Sequence, residues 1–134
     1  RSTKRMEIKR IDNIGIGAKD VERLVSFYEQ TLGLDAEVSS WGGTVHIGNA
    51  DLFIFPTEES ASGKARSIKL EENPRGIDHI AVEVEDLETA CRELEQRGVR
   101  FPGPIEGDAG QFRYRGFPDP EGNMFYIVQQ ASED

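Results

Sequence analysis

The chain has 134 residues, with 25 acidic side chains against 16 basic ones and a net charge of −9. That length fits one domain able to bury its own core without disulfide or metal staples. The charge argues against phosphate backbones and anionic lipid as partners. A single cysteine, Cys91, permits neither an intrachain disulfide nor a cysteine-built zinc site. No apolar run approaches about 18 residues and no signal-peptide pattern opens the chain, so the expected setting is the cytoplasm, away from nucleic acid and membrane. Arg1, Lys4, Arg5, Lys9 and Arg10 form a basic cluster around Met6, and residues 1–5 read as tag sequence or a frayed end.

An alternating strand opens the ordered pattern at Ile11-Asp12-Asn13-Ile14-Gly15-Ile16. Asp20 then caps a helix in which Val21, Leu24, Val25, Tyr28 and Leu32 share one face, and Gly33 ends it. Strands are expected near Ala36–Trp41, Thr44–Ile47 and Asp51–Phe55, joined at Gly42-Gly43 and Gly48-Asn49. From Pro56 to Gly76 the chain is polar and loop-like, a length typical of a lid, an arm or a linker.

At Ile77 the plan begins again, offset by 66 residues: Ile77-Asp78-His79-Ile80-Ala81-Val82 mirrors the first strand. Asp86 caps the second helix, Leu87, Ala90, Cys91 and Leu94 form its stripe, and Gly98 stops it. Cys91 thus reads as a core residue. Glu88/Arg92 and Glu93/Arg97 are spaced for i,i+4 pairing on the solvent side. A short edge strand is expected near Val99–Phe101, interrupted by Pro102 and Pro104. Strands over Gln111–Gly116 and Asn123–Gln129 follow, joined through Asp119-Pro120-Glu121-Gly122.

Three segments in this duplicated frame carry a family resemblance: Phe27-Tyr28-Glu29-Gln30-Thr31-Leu32-Gly33-Leu34, Ile77-Asp78-His79-Ile80-Ala81-Val82 and Asp119-Pro120-Glu121-Gly122-Asn123. The chain resembles the glyoxalase/bleomycin resistance/dioxygenase (vicinal oxygen chelate) superfamily over residues 7 to 129. The resemblance implies an α+β fold of two βαβββ modules, whose curved mixed sheet forms a cup with the helices outside. One domain over residues 1–134 would comprise module one at about 7–56, a linker at 57–75 and module two at about 76–130. A homodimer is also implied.

Many enzymes of that superfamily hold a divalent metal with four side chains from the first and last strand of each module. Here the first-strand positions fall on Asn13 and His79, and the last-strand position of module two falls on Tyr126. The module-one counterpart lies within Leu52, Phe53, Ile54 and Phe55, none of them a ligand. An amide oxygen and a phenol do not replace carboxylates. His46 lies outside these positions, and Asp51, Glu58 and Glu59 sit at or beyond the strand's ends. The expectation is no metal and no cofactor.

What remains is a cup whose candidate ligand-binding lining is Asn13, Trp41, Phe53, His79, Tyr114 and Tyr126, suited to a planar or aromatic molecule. This is similar to the metal-free bleomycin-resistance branch, which binds a drug without altering it, and sequestration or self-resistance is the expected role. The alternative is an enzyme of the same superfamily, a lyase, isomerase or dioxygenase with an absent or non-standard metal site, in which His79 serves as base and Tyr126 as acid. Trp41 can equally cap a hairpin, Phe53 can face either side of its strand, and His79 can be a satisfied hydrogen-bonding residue.

Overall fold

The computed structural model describes residues 11–57, 65–73 and 77–131. The N-terminal basic cluster, Glu58 and Glu59 lie outside them. Module one contains β1 (Asn13–Ala18), α1 (Val21–Ser26), a π-helical turn (Phe27–Thr31), β2 (Asp35–Ser39), β3 (Gly42–Ile47) and β4 (Ala50–Pro56). Module two contains β5 (His79–Glu83), α2 (Leu87–Gln96), β6 (Arg113–Pro118) and β7 (Met124–Gln129), with a 3-10 turn at Leu70–Glu72 in the linker. The strands form two mixed sheets, ordered β1-β4-β3-β2 and β5-β7-β6. β1 runs parallel to β4 and β5 parallel to β7, while the remaining pairs are antiparallel.

The expected strand at Val99–Phe101 does not form. Pro102 and Pro104 have no N–H to offer a ladder, and the Val99 amide turns back to the Leu94 carbonyl at 2.9 Å. The Phe101 ring packs edge-on against Phe117 beneath the Arg115 guanidinium. A single bridge, Glu106 to Tyr114, is all that pairs with the outer side of β6 among the described residues.

Asp20 caps α1 as its sequence position predicts, accepting from the Arg23 amide at 3.1 Å. The first helix is one residue longer than the second: Asp20 to Gly33 is thirteen steps, Asp86 to Gly98 twelve. The extra residue is absorbed in the π turn, where Leu32 N–H reaches the Phe27 carbonyl five residues back. At α2 the expected cap fails. The Asp86 carboxylate accepts from the Thr89 hydroxyl, and the Leu87 amide is satisfied by Gln129 from β7 at 2.7 Å. The two surface pairs on α2 also give way to other partners. Glu88 takes both terminal nitrogens of Arg113, Arg92 donates to Thr89, and Arg97 donates to the Thr31 carbonyl. A bidentate Arg–carboxylate fork is stronger than a frayed i,i+4 contact.

One hydrophobic core unites both modules. Ile16, Ala18, Val45, Leu52 and Ile54 from the first sheet share it with Phe117, Phe125 and Ile127 from the second, and with Leu24, Val25, Leu87, Cys91 and Leu94 from the helices. Tyr28 is fully buried there, and its hydroxyl donates to Asp119 Oδ2 at 2.7 Å. Burial, with Asp119 adding to it, pushes the Tyr28 phenol far above its usual range. Asp119 Oδ1 also accepts from the Glu121 and Asn123 amides, which fixes the β6–β7 turn. Glu121 in that turn accepts the Lys19 and Asp20 amides at the start of α1.

Candidate functional site

Alternation along each strand leaves one face of each sheet turned away from this core. On the first sheet, Leu52 and Ile54 point inward, so Asp51, Phe53 and Phe55 stand on the open face. The apolar run Leu52–Phe55 does not reveal this phase, but the register does: Phe53 lies opposite Gly15 on β1. Gly15 and Gly17 leave room for the Phe55 ring, whose atoms lie 3.7 and 3.4 Å from where a Cβ would sit on each. Trp41, in the turn between β2 and β3 and 53% exposed, lies 5.2 Å from the Phe53 ring, and Phe53 stacks on Phe55 at 5.7 Å. Trp41 therefore both closes the hairpin and extends an aromatic row.

A polar row crosses the same face. His46 Nδ1 lies 2.9 Å from Asp51 Oδ1 and its Nε2 lies 3.3 Å from Glu37 Oε2. The hydrogen bond to Asp51, then that to Glu37, raises the His46 pKa above 6.5. Asn13 stands next to Asp51 in the register and donates to Asp12 at 2.9 Å.

On the second sheet the open face carries His79, Tyr126 and Tyr114. The His79 and Tyr126 rings are 4.5 Å apart, Tyr126 and Tyr114 5.9 Å, and Phe112 continues the row. Gly116 makes the row possible, because a Cβ there would fall 2.5 Å from the Tyr126 ring. His79 Nδ1 contacts Asp78 Oδ2 at 2.8 Å, while Asp78 Oδ1 receives Asn73 at 2.8 Å and lies 3.3 Å from Arg66 Nε. Burial alone would raise the Asp78 pKa, but the hydrogen bonds from His79 and Asn73 outweigh it and hold it low. An ionised Asp78 can only accept, so the contact is a hydrogen bond donated by His79 Nδ1–H to Asp78 Oδ2.

Tyr126 is only 4% exposed, and its hydroxyl has no hydrogen-bond partner among the described residues. Its pKa is raised by burial, with Asp78 and Tyr114 adding to the effect. A buried phenol O–H without an acceptor costs roughly 1–3 kcal/mol. Tyr126 borders a small cavity of about 80 Å³ with Ile68, Glu106, Tyr114 and Gly116. His79 and Asp78 instead border a cleft of about 380 Å³ that runs past Gly15, Gly17 and Met124.

The six residues read from the sequence thus fall into two groups. Trp41 and Phe53 meet on the first sheet, with Asn13 nearer to Asp51. His79, Tyr126 and Tyr114 meet on the second, and no described ring contact joins the two rows. Asp78, Arg66, Asn73, Ile68 and the His46 cluster were not among them. Only Asp78 carried a signal, as the neighbour of His79, since the other partners are distant in the chain or lie in the polar linker.

The resemblance puts the superfamily's metal positions on the first and last strand of each module, and the registers pair those strands. Tyr126 is opposite Ala81, and Phe53 is opposite Gly15, its counterpart 66 residues earlier. The donor set is therefore Asn13, Phe53, His79 and Tyr126, one imidazole with an amide, a phenol and a phenyl. Such a set does not fit a divalent transition metal. Among the described residues, no group of three His, Cys, Asp or Glu is arranged to hold one. No described helix is long and apolar enough to cross a membrane.

The duplicated plan, βαβββ in module one and βαββ with a single bridge in module two among the described residues, with an open face on each sheet, defines a class of two-module α+β proteins. The family model for the Glyoxalase/Bleomycin resistance protein/Dioxygenase superfamily matches residues 10–127, and the chain belongs to that superfamily. Lactoylglutathione lyase of Pseudomonas aeruginosa is 40% identical over 60 residues, 45% of this chain and 33% of its own length. The match thus spans about a third of that relative. The uncharacterized protein YaeR of Escherichia coli K12 is 26% identical over 133 residues, covering 92% of this chain and 98% of its own. The solved structure of a glyoxalase family protein from Enterococcus faecalis shares the fold, with a TM-score of 0.71 at 22% identity, covering 92% of this chain and 99% of that one.

Proposed function

We propose that the chain binds a planar or aromatic organic molecule on these open faces without a metal, as a sequestering protein of the bleomycin-resistance kind. The observation that carries this reading is the buried Tyr126 hydroxyl, without a hydrogen-bond partner among the described residues, at the centre of an aromatic row. An arriving acceptor group would relieve its desolvation cost, and flat rings suit the flanking π faces. The two aromatic rows belong to different sheets, which favours a homodimer in which a second copy brings Trp41 and Phe53 opposite a partner's cup. Trp41 is the sole tryptophan, so its fluorescence reports on one row directly.

The test is calorimetric titration with a panel of planar aromatics, with sedimentation velocity for the dimer. Tyr126→Ala or Trp41→Ala should weaken binding by about 1–3 kcal/mol. Unchanged affinity in both variants would remove these rings from the site.

A second reading is favoured by the Asp78–His79 pair, which suits proton transfer, and by the relative named lactoylglutathione lyase. In that reading the protein is a lyase, isomerase or dioxygenase-like enzyme. Lactoylglutathione formation, followed by thioester absorbance in the wild type and in His79→Ala, decides between the two.

A further inference from the structure

The second sheet's open face is not open in the way the first one is. Phe53 and its neighbours are part-exposed, with Trp41 half in solvent, whereas the equivalent Tyr126 is buried together with Met124 and Val128. The difference is Ile68. Residues Met124, Tyr126 and Val128 form a separate small apolar cluster against Ile68 and Tyr114. The Ile68 Cδ1 also comes close to Gly103, where a Cβ would lie 2.6 Å away, so the absence of a side chain at 103 gives the Ile68 tip its room.

Residues 65–73 are built to hold that side chain in place. The Asn73 amide accepts from Ser67 N–H and donates to the Ser67 carbonyl, both at 2.9 Å, closing the segment into a loop. The same amide donates to Asp78 Oδ1, and Arg66 lies against that oxygen as well. Lys69, Leu70, Glu71 and Glu72 face solvent, so only Arg66, Ser67, Ile68 and Asn73 bear on the sheet. Asp78 therefore has two clients: the loop on Oδ1 and His79 on Oδ2.

We infer that residues 65–73 are a strap that competes with the ligand, with Ile68 occupying the place of the ligand's apolar part over Tyr126, and Asp78 tying strap position to His79 orientation. The inference rests on the second sheet's open face being the ligand site. A neutral planar molecule with a carbonyl acceptor displaces Ile68 and receives the Tyr126 hydroxyl proton in a hydrogen bond. Loss of the Asn73 and Arg66 contacts frees Asp78 Oδ1, so ligand entry and the setting of His79 are coupled. A site that is closed in about nine molecules of ten binds about tenfold more weakly than the open one.

The test uses 1,8-naphthalimide as the probe with wild type, Ile68→Ala, Asn73→Ala and Tyr126→Phe. Probe affinity is read by fluorescence, and access to Tyr126 by tetranitromethane nitration with peptide mass spectrometry. Tyr28, buried in the main core, serves as the internal control for folding. Ile68 is part-exposed, and Asn73→Ala unclasps the loop while leaving the Ile68 and Tyr126 side chains unaltered, so one variant checks the other. The expected result is about a tenfold rise in both probe affinity and Tyr126 nitration in each strap variant, with Tyr28 unmodified and the affinity gain reduced when Tyr126→Phe is added. If Tyr126 nitration rises but no variant binds the probe, the strap stands and the ligand reading falls. If the probe binds all proteins equally and Tyr126 nitration does not change, the strap is overturned while the ligand reading survives.

Discussion

Replacing Tyr28 with phenylalanine removes one oxygen from the contact that joins the first helix to the second module. Asp119 Oδ2 loses the Tyr28 hydroxyl at 2.7 Å but keeps Asn123 Nδ2 at 2.9 Å, so the carboxylate is not orphaned. The loss is therefore that of one buried hydrogen bond to a charged group, about 2 kcal/mol. For a chain of this size that corresponds to a fall of roughly 6–10 °C in Tm. Asp119→Ala should cost more, about 3–5 kcal/mol, because it strands the phenol and releases the Glu121 and Asn123 amides together. Urea unfolding at 25 °C followed by far-UV circular dichroism measures both. In a double-mutant cycle, Tyr28→Phe should cost much less in the Asp119→Ala background. A Tyr28→Phe variant within about 0.5 kcal/mol of wild type, at unchanged m, would refute the reasoning that this bond secures the two modules.

Other outcomes follow from the same geometry. His46 is more basic in the folded state than at its ordinary value of 6.5, so its contribution to stability is full below about pH 6.5 and is lost as pH rises through the higher folded value. His46→Gln should flatten that decline in urea midpoints between about pH 6 and 9, and an NMR titration midpoint at or below 6.5 would contradict it. Gly116→Ala should push the Tyr126 ring off β6, costing about 1–3 kcal/mol and lowering probe affinity more than a substitution at the open Gly122 turn. Cys91, 4% exposed beneath α2, should resist Ellman's reagent until denaturant is added, whereas prompt reaction would place it outside the core.

Much of the architecture was legible because the 66-residue offset doubles every signal. Asn13 matches His79 and Asp20 matches Asp86, and the strand alternation around each agrees. The phase of Phe53 was hidden because four apolar residues in a row carry no period of two. It becomes evident only through pairing, as the counterpart of Tyr126. The π turn had a signal in plain view, the extra residue between Asp20 and Gly33, but its meaning depends on both stop glycines being real. Expected local pairs failed where a distant partner was better: Gln129 at the second helix start, Arg113 for Glu88, Thr31 for Arg97. The hold on Asp78 was illegible since Arg66 and Asn73 lie in a segment without periodicity, where composition says only that the chain is polar.

Two polar contacts of the first helix reach far forward in the chain, and this bears on how the protein is made. Tyr28 waits for an acceptor 91 residues later, and the start of α1 for a carboxylate 101 residues later. Leu94, at the matching place in the second helix, has no hydroxyl to satisfy and joins the shared core by packing alone. During synthesis from the N-terminus, the first helix emerges early with an unfinished cap and an unmatched phenol. It stays so until the β6–β7 turn has left the ribosome. A ribosome that stalls before the β6–β7 turn thus releases a first module lacking both contacts and its share of the common core, a natural target for proteolysis.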